Sequence, residues 1–251
     1  MSAPPRLVSN LRWWNVVVAI VHLSSFTALT VIAFTRLDQA RLVPLWVDYG
    51  ATVDVLGQYV LFATLLPFPL ITGLFHIYAT VDPRKTYSRE VLLQGRNTLR
   101  WIEYAITNGL MSWSVAVVAG ANNLILPITC VLSNCVMQYF GYLHETINQK
   151  LKQPGKTWGP LLVGFVPWLI NWLIALLYFG FRIGRESVQV TDYLAVFGTF
   201  VWSLGFVAPL VWRFNKPGIV PNYKVEVAYA LLSLSAKLWL DWVLTIGNLV
   251  E

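Results

Sequence analysis

The chain has 251 residues, of which 57% are hydrophobic and only 12% charged, with a formal net charge of +6. A soluble domain carries roughly 25% charged residues, so this composition, with a mean hydropathy of +0.59, excludes one. The positive excess needs no nucleic-acid partner, because most Lys and Arg fall in or beside the connections between apolar runs, where they set orientation in a bilayer and meet membrane lipid.

Seven runs close to the roughly 20 residues needed to cross hydrocarbon follow in chain order, at 13–35, 58–80, 97–119, 124–144, 159–180, 193–212 and 225–248. They are continuous and not alternating, which excludes a strand barrel. The sequence predicts an all-α membrane protein whose seven helices form one bundle over residues 1–251. The first run lacks a small-residue cleavage site and reads as a retained span, not a removable signal peptide. Thirteen of the 18 Lys and Arg flank the spans on the amino-terminal side, against Arg36, Arg41, Arg182 and Arg185 on the other. The amino terminus is therefore expected in the cytoplasm and the carboxy terminus outside. The long connection 36–57 mixes Trp46, Tyr49 and several Val with Asp38, Asp48 and Asp54; it either folds locally or meets a partner.

Cys130 and Cys135 stand five residues apart on different faces of one predicted helix, so no disulfide is expected. No P-loop, metal-ligand spacing or nucleophile elbow is present in the sequence, and no enzymatic activity is expected.

The seventh run contains SLSAKLWLDWVL, with Lys237 at its middle. A charge at mid-membrane costs roughly 2.5–3.5 kcal/mol, so an intramembrane Lys demands a partner and a task. Asp241 lies four residues on, along the same helical face. Helical side chains tilt toward the amino terminus, however, which turns Lys237 toward Ser233 and away from Asp241. Glu103, in the third run, lies at a matching depth and is the expected partner. His22 and His76 fall in the same layer and, with Ser233, complete a polar pocket; singly, His22 reads equally well as a satisfied helix-end residue, and His76 reads more readily as one.

A buried Lys–Glu pair serves either to glue two helices or to support a Schiff base with an aldehyde. The cation of such a base needs a carboxylate, and at 4 Å with an effective dielectric near 20 their attraction is worth about 4 kcal/mol. Asp241, Glu145 and Glu226 make up a candidate proton path. The last two also read as solvated helix-end carboxylates, Glu226 favoured there by the helix dipole.

Three motifs, RWIEY (Arg100 to Tyr104), SLSAK (Ser233 to Lys237) and FGYLHE (Phe140 to Glu145), together with the inside-amino orientation, resemble those of the heliorhodopsins across essentially all seven spans. The resemblance implies a bundle of the microbial-rhodopsin type with all-trans retinal joined to Lys237, and Glu103 as its sole carboxylate counterion. It also implies that Ser233 is hydrogen-bonded nearby, that His22 and His76 belong to a water-containing cluster, and that the protein forms a homodimer to which the long outer loop contributes. By similarity, Tyr104, Thr107, Asn134, Met137, Trp202 and Phe206 are the pocket candidates; each alone fits ordinary bundle packing as well.

Ordinary microbial rhodopsins resemble RYxDW in the third span and carry Asp four residues before the lysine, where this chain has Glu103 and Ser233. Ser114 stands where an outward proton pump would need a carboxyl donor. The expected function is therefore light sensing without pumping, at the plasma membrane, with a cytoplasmic signalling partner reading loops 81–96, 145–158 or 213–224. The alternative is a passive, light-gated proton path through Glu103 and Asp241. Neither an Asp-Arg-Tyr nor an Asn-Pro-x-x-Tyr motif is present, which excludes a hormone-type receptor.

Overall fold

The computed structural model describes residues 3–36, 42–48, 53–82, 86–150 and 156–249. Asp38, Arg41, Arg84, Lys85 and Lys152 lie outside them. Ten α-helices, one π-helical turn and one hairpin are the elements of the described chain. Helix α1 (Pro5–Thr35) starts with Pro in its first turn, where a missing N–H costs nothing. Its buried positions, Leu11, Asn15, Val18, Ala19, His22, Ser25, Leu29 and Ala33, recur at helical spacing and form one inward stripe.

Strands β1 (Leu42–Asp48) and β2 (Val53–Val60) pair antiparallel, with a register shift at Leu45/Trp46. The described parts of the connection 36–57 thus pair with each other. Trp46 ties β1 to the start of the fourth crossing: its N–H donates to Asn122 O at 3.3 Å, and its carbonyl accepts from Leu124 N at 2.8 Å.

The second crossing is α2 (Phe62–Leu65) followed by α3 (Pro67–Val81). Pro67 cannot donate a helical hydrogen bond, and the helix breaks there. Asp82 closes α3 in the left-handed region, at φ 37°. A short α4 (Thr86–Arg89) runs into a π-helical turn, Glu90–Gln94, ended by Gly95 at φ 64°. Helix α5 (Thr98–Val118) is capped by Asn97, whose side chain accepts from Arg100 N at 3.0 Å.

Helices α6 (Ile125–Lys150) and α7 (Gly159–Ile183) complete the fourth and fifth crossings. The sixth is divided into α8 (Val190–Gly205) and α9 (Val207–Asn215), because Pro209 removes the bond that Gly205 O would accept. The last crossing is α10 (Ile219–Leu249). Six of the seven crossings are apolar and long enough to span a membrane. The remaining one, α5, is the polar helix, with Arg100, Glu103, Tyr104, Thr107 and Ser114 buried.

The helices close into a ring, α1 against α3 and α10, α3 against α5, α5 against α6, α6 against α7, and α8 against α10. Helices α7 and α8 meet through aromatic rings, including Trp172 on Phe200 and Phe179 on Tyr193. Outward positions such as Leu162, Val166, Leu169, Leu173 and Leu177 on α7 are exposed and apolar, as a lipid-facing surface requires. The end of the bundle bearing the amino terminus is called the amino face below, and the opposite end the hairpin face.

Candidate functional site

Helical spacing builds the site. On α10, Ser233, Lys237 and Asp241 follow at intervals of four and all are buried. On α5, Arg100, Glu103, Tyr104 and Thr107 share the inward face. Helix α3 adds Thr72 and His76 one turn apart, and α1 adds Asn15 and His22.

Lys237 Nζ, 1% exposed, is ion-paired with Glu103 Oε1 and donates to Thr72 Oγ1 at 2.7 Å. Glu103 Oε1 also accepts from Thr72 Oγ1 at 2.8 Å and Thr107 Oγ1 at 2.9 Å. The Tyr104 ring lies 5.3 Å from the ammonium, close enough for a cation–π attraction. A buried charge pair persists only when its lone pairs and protons are met in this way.

On the amino side of this pair is a small polar cavity, lined among others by Asn15, His76, Tyr87, Asn97, Glu103 and Glu226. His76 Nδ1 lies 2.7 Å from Asn15 Oδ1. His22 stacks on His76 with centroids 6.5 Å apart, and among the described residues neither of its ring nitrogens has a hydrogen-bond partner.

On the other side lies a larger, mostly apolar cavity. Lys237 and Ser233 form part of its wall with Tyr104, Asn134, Met137, Trp202 and Phe206. Thr107 lies off this wall, with its hydroxyl turned to Glu103. Helix α7 contributes Phe165, Trp168 and Trp172, which sequence reasoning missed. Their 3 and 4 spacing in GFVPWLINW was the available signal.

Asp241 is fully buried one turn toward the hairpin face, and among the described residues neither carboxylate oxygen has a hydrogen-bond partner. The hydroxyl of Thr245, one turn further, is in the same condition.

Glu145 and Glu226 are not solvated helix-end carboxylates. Both are buried in a four-membered ion cluster with Arg100 and Arg213. Arg100 Nη1 lies 2.5 Å from Glu226 Oε1, and Arg213 lies 2.5 Å from each carboxylate. Asn97 Nδ2 donates to Glu226 Oε2 and Trp101 Nε1 to Glu145 Oε2, each at 2.7 Å. The cluster ties α5, α6, α9 and α10 together at the amino face. Sequence reasoning counted both arginines as loop charges, since separations of up to 126 residues leave no local pattern.

A buried amine with one carboxylate, set in the wall of an aromatic cavity, is the arrangement of a covalently held polyene. The heliorhodopsin family model matches residues 11–249. The chain belongs to the heliorhodopsin family.

No curated protein sequence matches the chain. Among solved structures it is similar to xanthorhodopsin, described as a light-driven ion pump with dual chromophore, at 15% identity over 99% of this chain and 97% of that one, with a TM-score of 0.71. It is also similar to the transmembrane domain of Salpingoeca rosetta rhodopsin phosphodiesterase (13% identity, 99% and 90% covered, TM-score 0.69) and to Exiguobacterium sibiricum rhodopsin (13%, 96% and 96%, TM-score 0.67). At these identities the likeness shows the fold, a seven-helix bundle of the microbial-rhodopsin type.

Heliorhodopsins and rhodopsins carry retinal on a lysine as a Schiff base, and this chain is a retinal photoreceptor of the membrane. Its residues fit that group: Lys237 is the buried amine, Glu103 the counter-charge, and the cavity beside them offers flat aromatic walls.

Proposed function

We propose that this heliorhodopsin is a light sensor that signals through its amino face and does not pump ions. The observation that carries the reading is the placement of the Lys237–Glu103–Thr72 group between an aromatic cavity and a smaller polar one. Retinal, when bound, would supply light-driven isomerisation of its polyene, and Lys237 is the residue that would hold it. Glu103 holds positive charge at the Lys237 nitrogen, with Thr72 and Thr107 fixing its carboxylate. Asn15 and His76 in the polar cavity, with His22 stacked behind His76, offer a place for a proton in a setting that buried water suits. Ser114 Oγ lies 3.0 Å from Thr64 Oγ1 and 3.1 Å from Leu110 O within the bundle, and as a hydroxyl it provides no carboxyl donor for outward transport.

The amino face is taken as cytoplasmic from the Lys and Arg distribution, in a plasma membrane, with a homodimer and a cytoplasmic partner completing the sensor. Arg100 and Arg213 are spent in the buried cluster, so the orientation argument rests on the remaining charges.

A second reading, light-gated passive proton conduction, is favoured by one observation, the buried and unbonded carboxyl of Asp241 beside Lys237. Glu145 and Glu226 are each paired with two guanidinium groups, which weighs against them as carriers.

Voltage-clamp current under illumination separates the two. The test uses retinal-supplied cells whose visible pigment is abolished by Lys237→Ala. No current supports the sensor; a steady current reversing with the proton gradient, and lost in Asp241→Asn, would make the protein a conductor.

A further inference from the structure

One wall of the polar cavity belongs to no membrane-crossing helix. It is Tyr87, carried on α4 at the amino face. Its hydroxyl oxygen lies 3.5 Å from Asn15 Nδ2 and also interacts with the Asn97 side chain. Asn15 is the residue whose Oδ1 meets His76 Nδ1, while its amide donates to Leu11 O at 2.7 Å. A line of polar atoms therefore runs from His76, in the same cavity as Glu103, through Asn15 to Tyr87. Burial pushes the Tyr87 phenol above its usual range, so the hydroxyl keeps its proton at physiological pH.

The backbone under Tyr87 is pinned on one side and irregular on the other. Asp82, itself in the left-handed region, accepts from Tyr87 N at 3.1 Å, Ser88 N at 3.0 Å and Ser88 Oγ at 2.6 Å. Beyond α4 comes the π turn Glu90–Gln94, a geometry found mostly as single turns and frequently at functional sites. This turn touches the rest of the amino face. Arg213 of α9 donates to Gly95 O at 2.8 Å, and Asn222 of α10 donates to Leu92 O at 3.1 Å. Val91 and Leu92 pack against Leu7, Val8 and Leu11 of α1.

We infer that Tyr87 is a positioning residue that passes the state of the His76–Glu103 cavity to the segment Tyr87–Gly95, and that this segment is the output element of the amino face. The inference rests on the signalling reading above. A change of charge in the cavity alters whether His76 Nδ1 donates to Asn15 Oδ1. The Asn15 amide is rigid, so its Nδ2 moves with its Oδ1, and the contact with Tyr87 is strengthened or released. The π turn, joined to α1, α9 and α10, takes up the displacement.

The test is amide hydrogen exchange over residues 86–95 of retinal-loaded protein, dark and illuminated, in wild type and Tyr87→Phe. Light-induced absorbance changes are recorded on the same samples. Wild type is expected to exchange several-fold faster over 86–95 in light. Tyr87→Phe is expected to lose that light effect, and Asn15→Leu, broken one link earlier, to lose it too, in samples whose absorbance change shows that the pigment still cycles. A light effect of unchanged size in both variants overturns the relay and leaves the signalling reading standing, as does a response confined to other amino-face segments. No light-dependent exchange anywhere on the amino face of a pigment that still cycles overturns both.

Discussion

Arg100 and Glu103 stand one turn apart on α5, yet they belong to separate ion systems: Arg100 joins Glu145 and Glu226, and Glu103 joins Lys237. Opposite charges three residues apart on a helix often attract each other. Here each is taken by a stronger partner from another helix, and a rigid rise of about 4.5 Å links the two systems.

Breaking the deeper pair leaves a buried charge alone. In retinal-free protein, Lys237→Met and Glu103→Gln are each expected to cost about 3–5 kcal/mol, and the double variant less than their sum. Denaturant unfolding of the four proteins in detergent reads the coupling; additive losses would mean that the pair contributes nothing.

The amino-face cluster makes a different prediction. Arg213→Met removes one of two cations facing Glu145 and Glu226 and is expected to destabilise by about 3–5 kcal/mol. The absorption maximum of the loaded pigment should stay in place, because Arg213 contacts neither Lys237 nor Glu103. A spectrum of the purified variant checks this.

Gly141 is the site for a steric probe. A Cβ there collides with the Trp101 ring, and that ring donates to Glu145. Gly141→Ala is expected to cost about 1–3 kcal/mol, the usual range for overpacking. Since Gly141 and Trp101 both line the larger cavity, it should also slow pigment formation from added retinal. Regeneration kinetics followed at the pigment's absorption maximum measure the second effect.

Tyr87 carries a pH signature. Its folded-state phenol is held above the ordinary range by burial, so the unfolded chain loses this proton first as pH rises through about 10. The associated stability is complete below that pH and declines above it. Tyr87→Phe should remove this part of the alkaline loss, as thermal unfolding between pH 8 and 11 would reveal.

The fold class was legible because six crossings are long apolar runs, and hydropathy needs no tertiary information. Glu103 was singled out as the partner of Lys237 by the tilt of helical side chains, and Lys237 meets Glu103 in the structure. Glu145, Glu226, Arg100 and Arg213 were misread because their pairing is wholly long-range. A charge at a helix end looks the same in sequence whether water or a distant guanidinium receives it. The role of Asn15 was hidden likewise: a lone Asn in an apolar helix has no motif, and only the packing of α1 on α3 sets it on His76. The aromatic face of α7 was visible as a pattern, but bundle packing produces the same pattern.

The ion cluster at the amino face brings two guanidinium groups and two carboxylates together within hydrogen-bonding distance, so its formal charges cancel. The field of such a balanced group decays faster with distance than that of a single ion. That neutral group adds little field at the Lys237–Glu103 pair one turn deeper, and the pair is itself buried, where salt screens charges far less than at the surface. The absorption maximum of the loaded pigment is therefore expected to stay in place as the ionic strength at the membrane surface changes, which spectra at low and high salt would check.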